Sequence, residues 1–284
     1  VPASAIAHSL AVAIASKRQL RLEARAHEPA WKPRRNYASN LSSCVRQMVY
    51  AHTHWQEKEP FTTACVAHME DGNHEERLII QELLTDGFDV VEQQVQLDDD
   101  RYWVTGKIDG KLKWQGRRVP FEIKRISPYA FDKLETVNDF KDDEFSLKKL
   151  RQLTVYLYLH SEDVGLFILS NGLGQRKVIV VPLDYEFAET ILKNLDATNA
   201  ALKSCVLPER IPYHSKICGY FPSKRTCLTD MNFGEGAVMG EAELTVAVKR
   251  LQEIKPSVSE AEKLKKEIKK AVDDKPLVIC GDYL

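Results

Sequence analysis

Asp109, Glu122 and Lys124 are the residues whose types and spacing could do chemistry. They fall in a stretch that reads as strand, turn, strand. Tyr102 to Ile108 alternates and is rich in β-branched and aromatic residues, Gly110 and Gly116 punctuate it, and Val119 to Ile123 is apolar apart from Glu122. Asp109 is expected just beyond the first strand and Glu122 inside the second, so the two acids can meet at one point. Lys124 follows Glu122 by two residues, and strand periodicity puts both side chains on one face. Two carboxylates and an ammonium converging there are what a divalent cation and a scissile phosphate require. The acids hold a hard cation through oxygen, and the lysine meets developing negative charge or orients the attacking water. The same residues also occur as a solvated turn and a cross-strand ion pair, and the rest of the chain has to decide between the two.

The chain has 284 residues, enough to bury a sizeable core as one large domain or as a main domain with appendages. Hydrophobic content of 44% and charged content of 29% place it among ordinary soluble proteins. With 40 basic and 41 acidic residues the net charge is −1, which neither points to nucleic acid nor excludes it, because a local basic groove suffices. No apolar run reaches the length of a membrane span. The apolar opening lacks a preceding basic region, so a secretory signal is not expected, and a first residue other than Met suggests that a short piece precedes it. An intracellular, reducing compartment follows as the expectation for the six cysteines, with metal binding or burial favoured over disulfides.

The elements that must position the three residues are then read in order. Ser4 to about Ala26 is helical and ends in Lys17, Arg18, Arg21 and Arg25, which suit a solvated face better than a DNA contact. Pro29, Pro33 and the Arg34-Arg35 pair break that pattern. A second helix is expected to start near Asn40 to Ser43 and to carry Cys44, Arg46 and Tyr50. A long amphipathic helix runs from about Thr62 to Leu84 and ends at Gly87. Val90 to Leu97 alternates as a strand, with Asp98-Asp-Asp100 as its connection to the next. Pro128 to Phe145 is polar, charged and without a sustained period, which predicts a mobile flap. Ser146 to Leu159 is a helix, and Val164 to Leu169 with Lys177 to Val181 forms a hairpin around Ser170-Asn-Gly-Leu-Gly174. Asp184 caps a helix to about Lys203, residues 204 to 234 are loop-rich, and Glu241 to Ile254 and Ser257 to Val272 read as two helices broken at Pro256. Leu277 to Cys280 reads as a short last strand.

This order, with Asp109, Glu122 and Lys124 on its central strands, resembles the PD-(D/E)XK nuclease superfamily, most closely the RecB-like branch with its CRISPR-adaptation nucleases and phage recombination exonucleases. Gln152-Leu-Thr-Val-Tyr156 is similar to the Gln-x-x-x-Tyr motif of that branch, and a spacing of four puts both side chains on one helical face. Gly72-Asn-His-Glu-Glu76 is similar to the helical element whose last residue touches the metal; Glu76 occupies that position, while His74 and Glu75 are off by two and one. A glutamate there would favour a hard cation such as Mg²⁺ or Mn²⁺.

Cys44, in Ser42-Ser-Cys-Val-Arg-Gln47, resembles the leading ligand of an iron–sulfur cluster that many members carry. Cys218 and Cys227 resemble later ligands, position 223 is a serine, and Cys205 could substitute at a spacing foreign to the family. An ordinary 4Fe–4S site needs four thiolates. A zinc site using His214 and plain metal-free packing are the alternatives. Cys65 and Cys280 read as small buried hydrophobes.

The resemblance, which covers about residues 40 to 230, implies an α/β fold. Its restriction-endonuclease-like core, a central mixed sheet flanked by helices, carries helical additions at both ends. The implied layout is an N-terminal helical extension over 1–39, a nuclease domain with a cysteine-bearing lobe over 40–235, and a charged helical tail over 236–284. The implied activity is that of an Mg²⁺- or Mn²⁺-dependent deoxyribonuclease, an exonuclease acting on DNA ends or single strands in recombination, repair or mobile-element processing. Glu76, Asp109, Glu122 and the carbonyl of Ile123 would hold the metal, Lys124 would stabilise the transition state, Gln152 would hold Lys124 or the water, and Tyr156 would contact a phosphate or base. DNA is the implied partner, with a second copy of the chain or a recombination protein as further candidates. Aromatic and basic residues interleave in Arg125 to Lys133 and again in Tyr213 to Arg225, as suits stacked bases and a followed backbone. Two rivals stand beside this: a catalytically silent DNA-binding or assembly subunit with the same fold, and a metal-dependent phosphodiesterase acting on RNA.

Overall fold

The architecture is known from a computed structural model, which describes residues 3–228 and 241–272. The chain divides into two units, Val1–Asp230 and Met231–Leu284. In the first, helix α1 (Ala3–Ala26) leads to a short strand β1 (Asn36–Tyr37), then to helices α2 (Val45–Thr53) and α3 (Thr63–Thr85). Strands β2 (Asp89–Asp99), β3 (Val104–Trp114) and β4 (Arg117–Arg125) follow as an antiparallel meander. Helices α4 (Pro128–Lys133) and α5 (Glu144–Leu159) cross to β5 (Val164–Ser170), which pairs parallel with β4. The hairpin strand β6 (Arg176–Pro182) and helix α6 (Tyr185–Ser204) come next, and two short helices, α7 (Ser215–Cys218) and α8 (Lys224–Leu228), close the unit. The sheet is mixed and six-stranded in the order β1-β3-β4-β5-β6, with β2 also on β3, and helices flank it: the expected α/β class.

Alternation along β4 and β5 assigns the two faces. Phe121, Ile123 and Ile168 pack with Ile79 and the half-buried Ile80 and Leu83 of α3. On the other face Phe167 and Leu169 pack with Leu150, Leu153 and Leu157 of α5. Glu122 pairs in register with Phe167 and Lys124 with Leu169, so both point to the α5 side. Three of the helices that flank the sheet start where the sequence supplies a cap: Thr62 accepts from Cys65 N–H ahead of α3, Asp143 from Phe145 and Ser146 N–H ahead of α5, and Asp184 from Phe187 N–H ahead of α6.

The structure corrects the expectations in three places. Asp109 lies inside β3, not beyond a strand that ends at Ile108, because β3 runs on through Gly106 and Gly110 to Trp114. At Gly110 a side chain would sit 2.5 Å from the Glu92 carbonyl and 2.8 Å from the Phe121 ring, so glycine here permits close strand packing and does not mark a turn. Residues 128–145 are not a flap. Ser127 caps α4, Thr136 and Asp139 form a capping box for a 3₁₀ turn over Val137–Lys141, and Phe131, Leu134 and Phe140 are buried in the α5 core. Two short helices out of phase with each other leave no single period to detect. The basic α1 cluster keeps the solvated face expected of it, with the exposed Arg21 and Arg25 reaching Glu70 of α3 at 2.6 and 2.7 Å. In the second unit, α9 (Glu241–Val272) is one helix that continues through Pro256, where a lost hydrogen bond and a crowded carbonyl favour a kink over a break. The strand expected at Leu277–Cys280 lies outside the described residues.

Phe140 is fully buried and stacks on Phe167 at 4.7 Å. Phe140→Ala is expected to lower stability by about 3–5 kcal/mol in urea unfolding. A loss below about 1 kcal/mol, usual for surface sites, would mean that the segment moves freely after all.

Candidate active site

Register decides where the site forms. β3 and β4 are paired from Trp114↔Arg117 to Gly110↔Phe121, and the pairing stops there, while β4 stays zipped to β5 as far as Arg125↔Ser170. The two strands part, and the Ile123 amide loses its ladder partner. The Asp109 carboxylate replaces it, accepting from Ile123 N–H at 2.6 Å. Gln152 of α5 fills the gap: its Nε2 donates to the Lys107 carbonyl at 3.3 Å and to Glu122 at 2.7 Å. Lys124 Nζ donates to Glu122 Oε1 at 2.5 Å and to Gln152 Oε1 at 3.2 Å. Asp109, Glu122, Ile123, Lys124 and Gln152 are thus gathered in one fork.

The electrostatics of the fork are out of balance. Glu122 is 2% exposed, and its Oε2 has no hydrogen-bond partner. Burial pushes the Glu122 carboxyl up, against the pull of Lys124. Asp109 is pushed up to about 8 by burial first and then by Glu122, with Lys124 and the Ile123 N–H opposing. Burial pulls the Lys124 ammonium down, yet the carboxylates of Glu122 and Asp109 outweigh it and the net shift is upward. Glu76 acts on all three from α3. Three acids share one ammonium, and an added cation would relieve them.

Glu76 does not close on the fork. Its carboxylate accepts from Gln94 Nε2 at 2.6 Å. Gln94 has φ 51, a left-handed conformation in mid-strand, and is the one residue of β2 between Gln93↔Gly110 and Val95↔Ile108 without a ladder partner, opposite Asp109. Among the described residues no three His, Cys, Asp or Glu side chains are gathered closely enough to hold a metal ion. The donor set nonetheless suits a hard divalent cation: carboxylate oxygens, one of them buried and unpaired, in a region of net negative charge.

Tyr156 is buried in the core with Ile108, Val155 and Leu192 and stacks on His160. Its hydroxyl has no partner and its pKa is raised by burial. The other helix-borne acid, Glu75, is tied to Ser170 and to Arg176 at 2.9 Å. His74 is exposed, 2.8 Å from an Arg77 guanidinium nitrogen.

The cysteines separate into two groups. Burial raises the Cys44 thiol, and the nearby thiols of Cys218 and Cys227 raise it further against the Gln47 N–H, so these three lie together. Cys205 does not join them; it is an exposed left-handed C-cap of α6. Ser223 is 1% exposed, and its hydroxyl has no partner. Three thiols and a serine do not fit a four-thiolate cluster. Cys65 is only half-buried on α3, and Cys280 lies outside the described residues.

Sequence reasoning missed Lys148 and Lys149, which stand one turn before Gln152, at the i−4 and i−3 positions of the same helical face. Burial, with Lys124 and Lys148 adding to it, pushes the Lys149 ammonium down to about 8 against Asp143. That spacing was visible, since both lysines lie within the helix expected over Ser146 to Leu159.

No protein-family model matches the chain, and no curated protein matches it. Solved structures align at low similarity. A protein designated SSO0001 aligns at a TM-score of 0.47 and 17% identity, over 76% of this chain and 95% of its own. An alkaline exonuclease from Laribacter hongkongensis aligns at 0.43 and 13%, over 60% and 88%. A phage-related exonuclease from Haemophilus somnus 129PT aligns at 0.42 and 14%, over 57% and 80%. These values are too low to transfer a role to any residue. No helix among the described residues is long and apolar enough to cross a membrane.

The charge imbalance makes a stability prediction. Unfolded, Asp109 releases its proton near pH ~4; folded, it keeps it to about 8. The folded state therefore binds more protons across that window, and the metal-free protein loses stability as pH rises through it. Asp109→Asn keeps an acceptor for the Ile123 N–H and removes the charge. In EDTA its melting temperature is expected to exceed that of the wild type at pH 8, with the gap narrowing toward pH 5. A variant that melts below the wild type at pH 8 would show that the charge is well compensated.

Proposed function

We propose that this chain is a metal-dependent DNA nuclease of the PD-(D/E)XK type, RecB-like in its motifs, that hydrolyses phosphodiester bonds at DNA ends or in single strands. The observation that carries this reading is the buried, unpaired Oε2 of Glu122 in a fork that also holds Asp109, Lys124 and Gln152. A structural ion pair would satisfy both carboxylate oxygens and would not bury a second acid beside them.

Asp109, Glu122 and the Ile123 carbonyl would hold Mg²⁺ or Mn²⁺, joined by Glu76 once its carboxylate leaves Gln94. The cation would screen the phosphate charge and acidify a bound water. The remaining work belongs to the chain. Lys124 keeps its proton and meets the negative charge that develops on the phosphoryl oxygens. Gln152 fixes the Lys124 ammonium by accepting from it through Oε1 and fixes the Glu122 carboxylate by donating to it through Nε2. Tyr156 acts from the core behind Gln152 and supports the position of α5, in place of the phosphate or base contact that the resemblance implied. The Cys44, Cys218 and Cys227 thiols act as packing for the lobe around Tyr50 and Phe221.

Lys124→Ala is the test. Cleavage of labelled DNA is expected to fall by about two to three orders of magnitude, the usual effect of losing one preorganised charge-stabilising group, while filter-binding affinity stays within a few fold. Equal loss of binding and cutting would give Lys124 a substrate-holding role. Wild-type binding without any cutting would favour the silent subunit.

A further inference from the structure

Phe145, at the start of the helix that carries Gln152, and Tyr220, in the second stretch that interleaves aromatic and basic residues, lie far apart in sequence, and the fold brings their exposed rings together. Phe145, in the first turn of α5, is 42% exposed, and Tyr220, between α7 and α8, is 71% exposed. The two rings meet edge to face at 4.8 Å and 83°. In that geometry the ring that offers its edge has neither face covered by the other. A single exposed ring needs no explanation, but exposed rings gathered in one place mark a surface that can take a partner.

A third ring lies alongside. Tyr129 of α4 is 71% exposed, and the Lys133 ammonium sits 4.2 Å from its centroid. Lys216 ties it to the pair: this lysine is bonded at 2.6 Å to Asp143, the cap two residues before Phe145, and lies within electrostatic reach of the Tyr129 hydroxyl. From Phe145 the helix leads along Lys148 and Lys149, both within electrostatic reach of Lys124, to Gln152, a row of lysines ending at the carboxylates. The ring faces suit nucleobases, and the lysines suit the phosphates between them. A duplex keeps its bases stacked inside and offers nothing to such rings, so the charge and the rings together select an unpaired strand.

We infer that Phe145 and Tyr220, with Tyr129 beside them, form a stacking platform that seats unpaired bases of a single-stranded DNA segment whose backbone follows Lys148 and Lys149 to the fork. This deepens the nuclease reading and rests on it for the direction of the strand.

The test is binding of a labelled oligothymidylate and of a duplex of equal length, by fluorescence anisotropy in EDTA so that nothing is cut. Phe145→Ala combined with Tyr220→Ala is expected to weaken single-strand binding about tenfold to a hundredfold, since each stacked base contributes about 1–3 kcal/mol, and to leave duplex binding within twofold. Phe145→Tyr combined with Tyr220→Phe keeps both rings and is expected to bind like the wild type. Unchanged single-strand affinity in the alanine variant would overturn the platform, as would an equal loss on both DNAs, or a wild type that binds no single strand. Because the readout does not need turnover, a wild type that discriminates through these rings and never cuts would sink the nuclease reading alone. One that cuts, with no effect of the rings, would sink the platform alone.

Discussion

The structure around the site depends on one constraint: β3 and β4 are not paired past Gly110 and Phe121. A ladder that ends in the interior leaves amides and carbonyls without partners, and each must be satisfied. Here the chain satisfies them with side chains: Asp109 takes the Ile123 N–H, and the Gln152 amide takes the Lys107 carbonyl. The groups that repair the backbone are therefore the groups of the site, and their positions are fixed by secondary structure on three sides. β5 holds β4 from one edge, α5 presses Leu153 and Leu157 against one face, and α3 presses Ile79 against the other. A polar site built on rigid elements is placed more narrowly than one built on loops.

The same fork works against stability. Burial raises the protonation ranges of Asp109 and Glu122 with a single ammonium between them, and one Glu122 oxygen remains unpaired. Strain of another kind sits opposite, where Gln94 adopts a left-handed backbone and holds Glu76 away from the other acids. Sites that act on charged substrates tend to carry such uncompensated charge, because a fully satisfied network has nothing left to offer a cation or a transition state. Lys148 and Lys149 carry the opposite sign on the same helix as Gln152, so on the nuclease reading proposed above a polyanion would be drawn to the surface while a cation would relieve the interior.

Much of this was legible in the chain because local chemistry and tertiary structure agree. Asp184 announced its helix as a cap, the start expected near Thr62 is where α3 begins, and Val164 to Leu169 with Lys177 to Val181 announced the hairpin of β5 and β6. Glu122 and Lys124 could be placed on one face by counting two residues. The phase shift between α4 and the following 3₁₀ turn concealed that Phe131, Leu134 and Phe140 are core residues. Gly110 reads as a turn signal in sequence and is in fact a point of close packing, which is why Asp109 came out beyond its strand. Nothing local could reveal that Gln94 would hold Glu76, that Tyr220 would meet Phe145, or that Cys205 would lie apart from the other thiols, since each depends on contacts between residues distant in sequence.

The most direct measurement is cleavage of end-labelled single- and double-stranded DNA with Mn²⁺, run beside EDTA and an Asp109→Ala control. The account predicts cutting that needs the metal and disappears in the variant, with a product ladder running from an end. Cutting that survives both EDTA and the loss of Asp109, or no cutting of any DNA by the wild type, would contradict it.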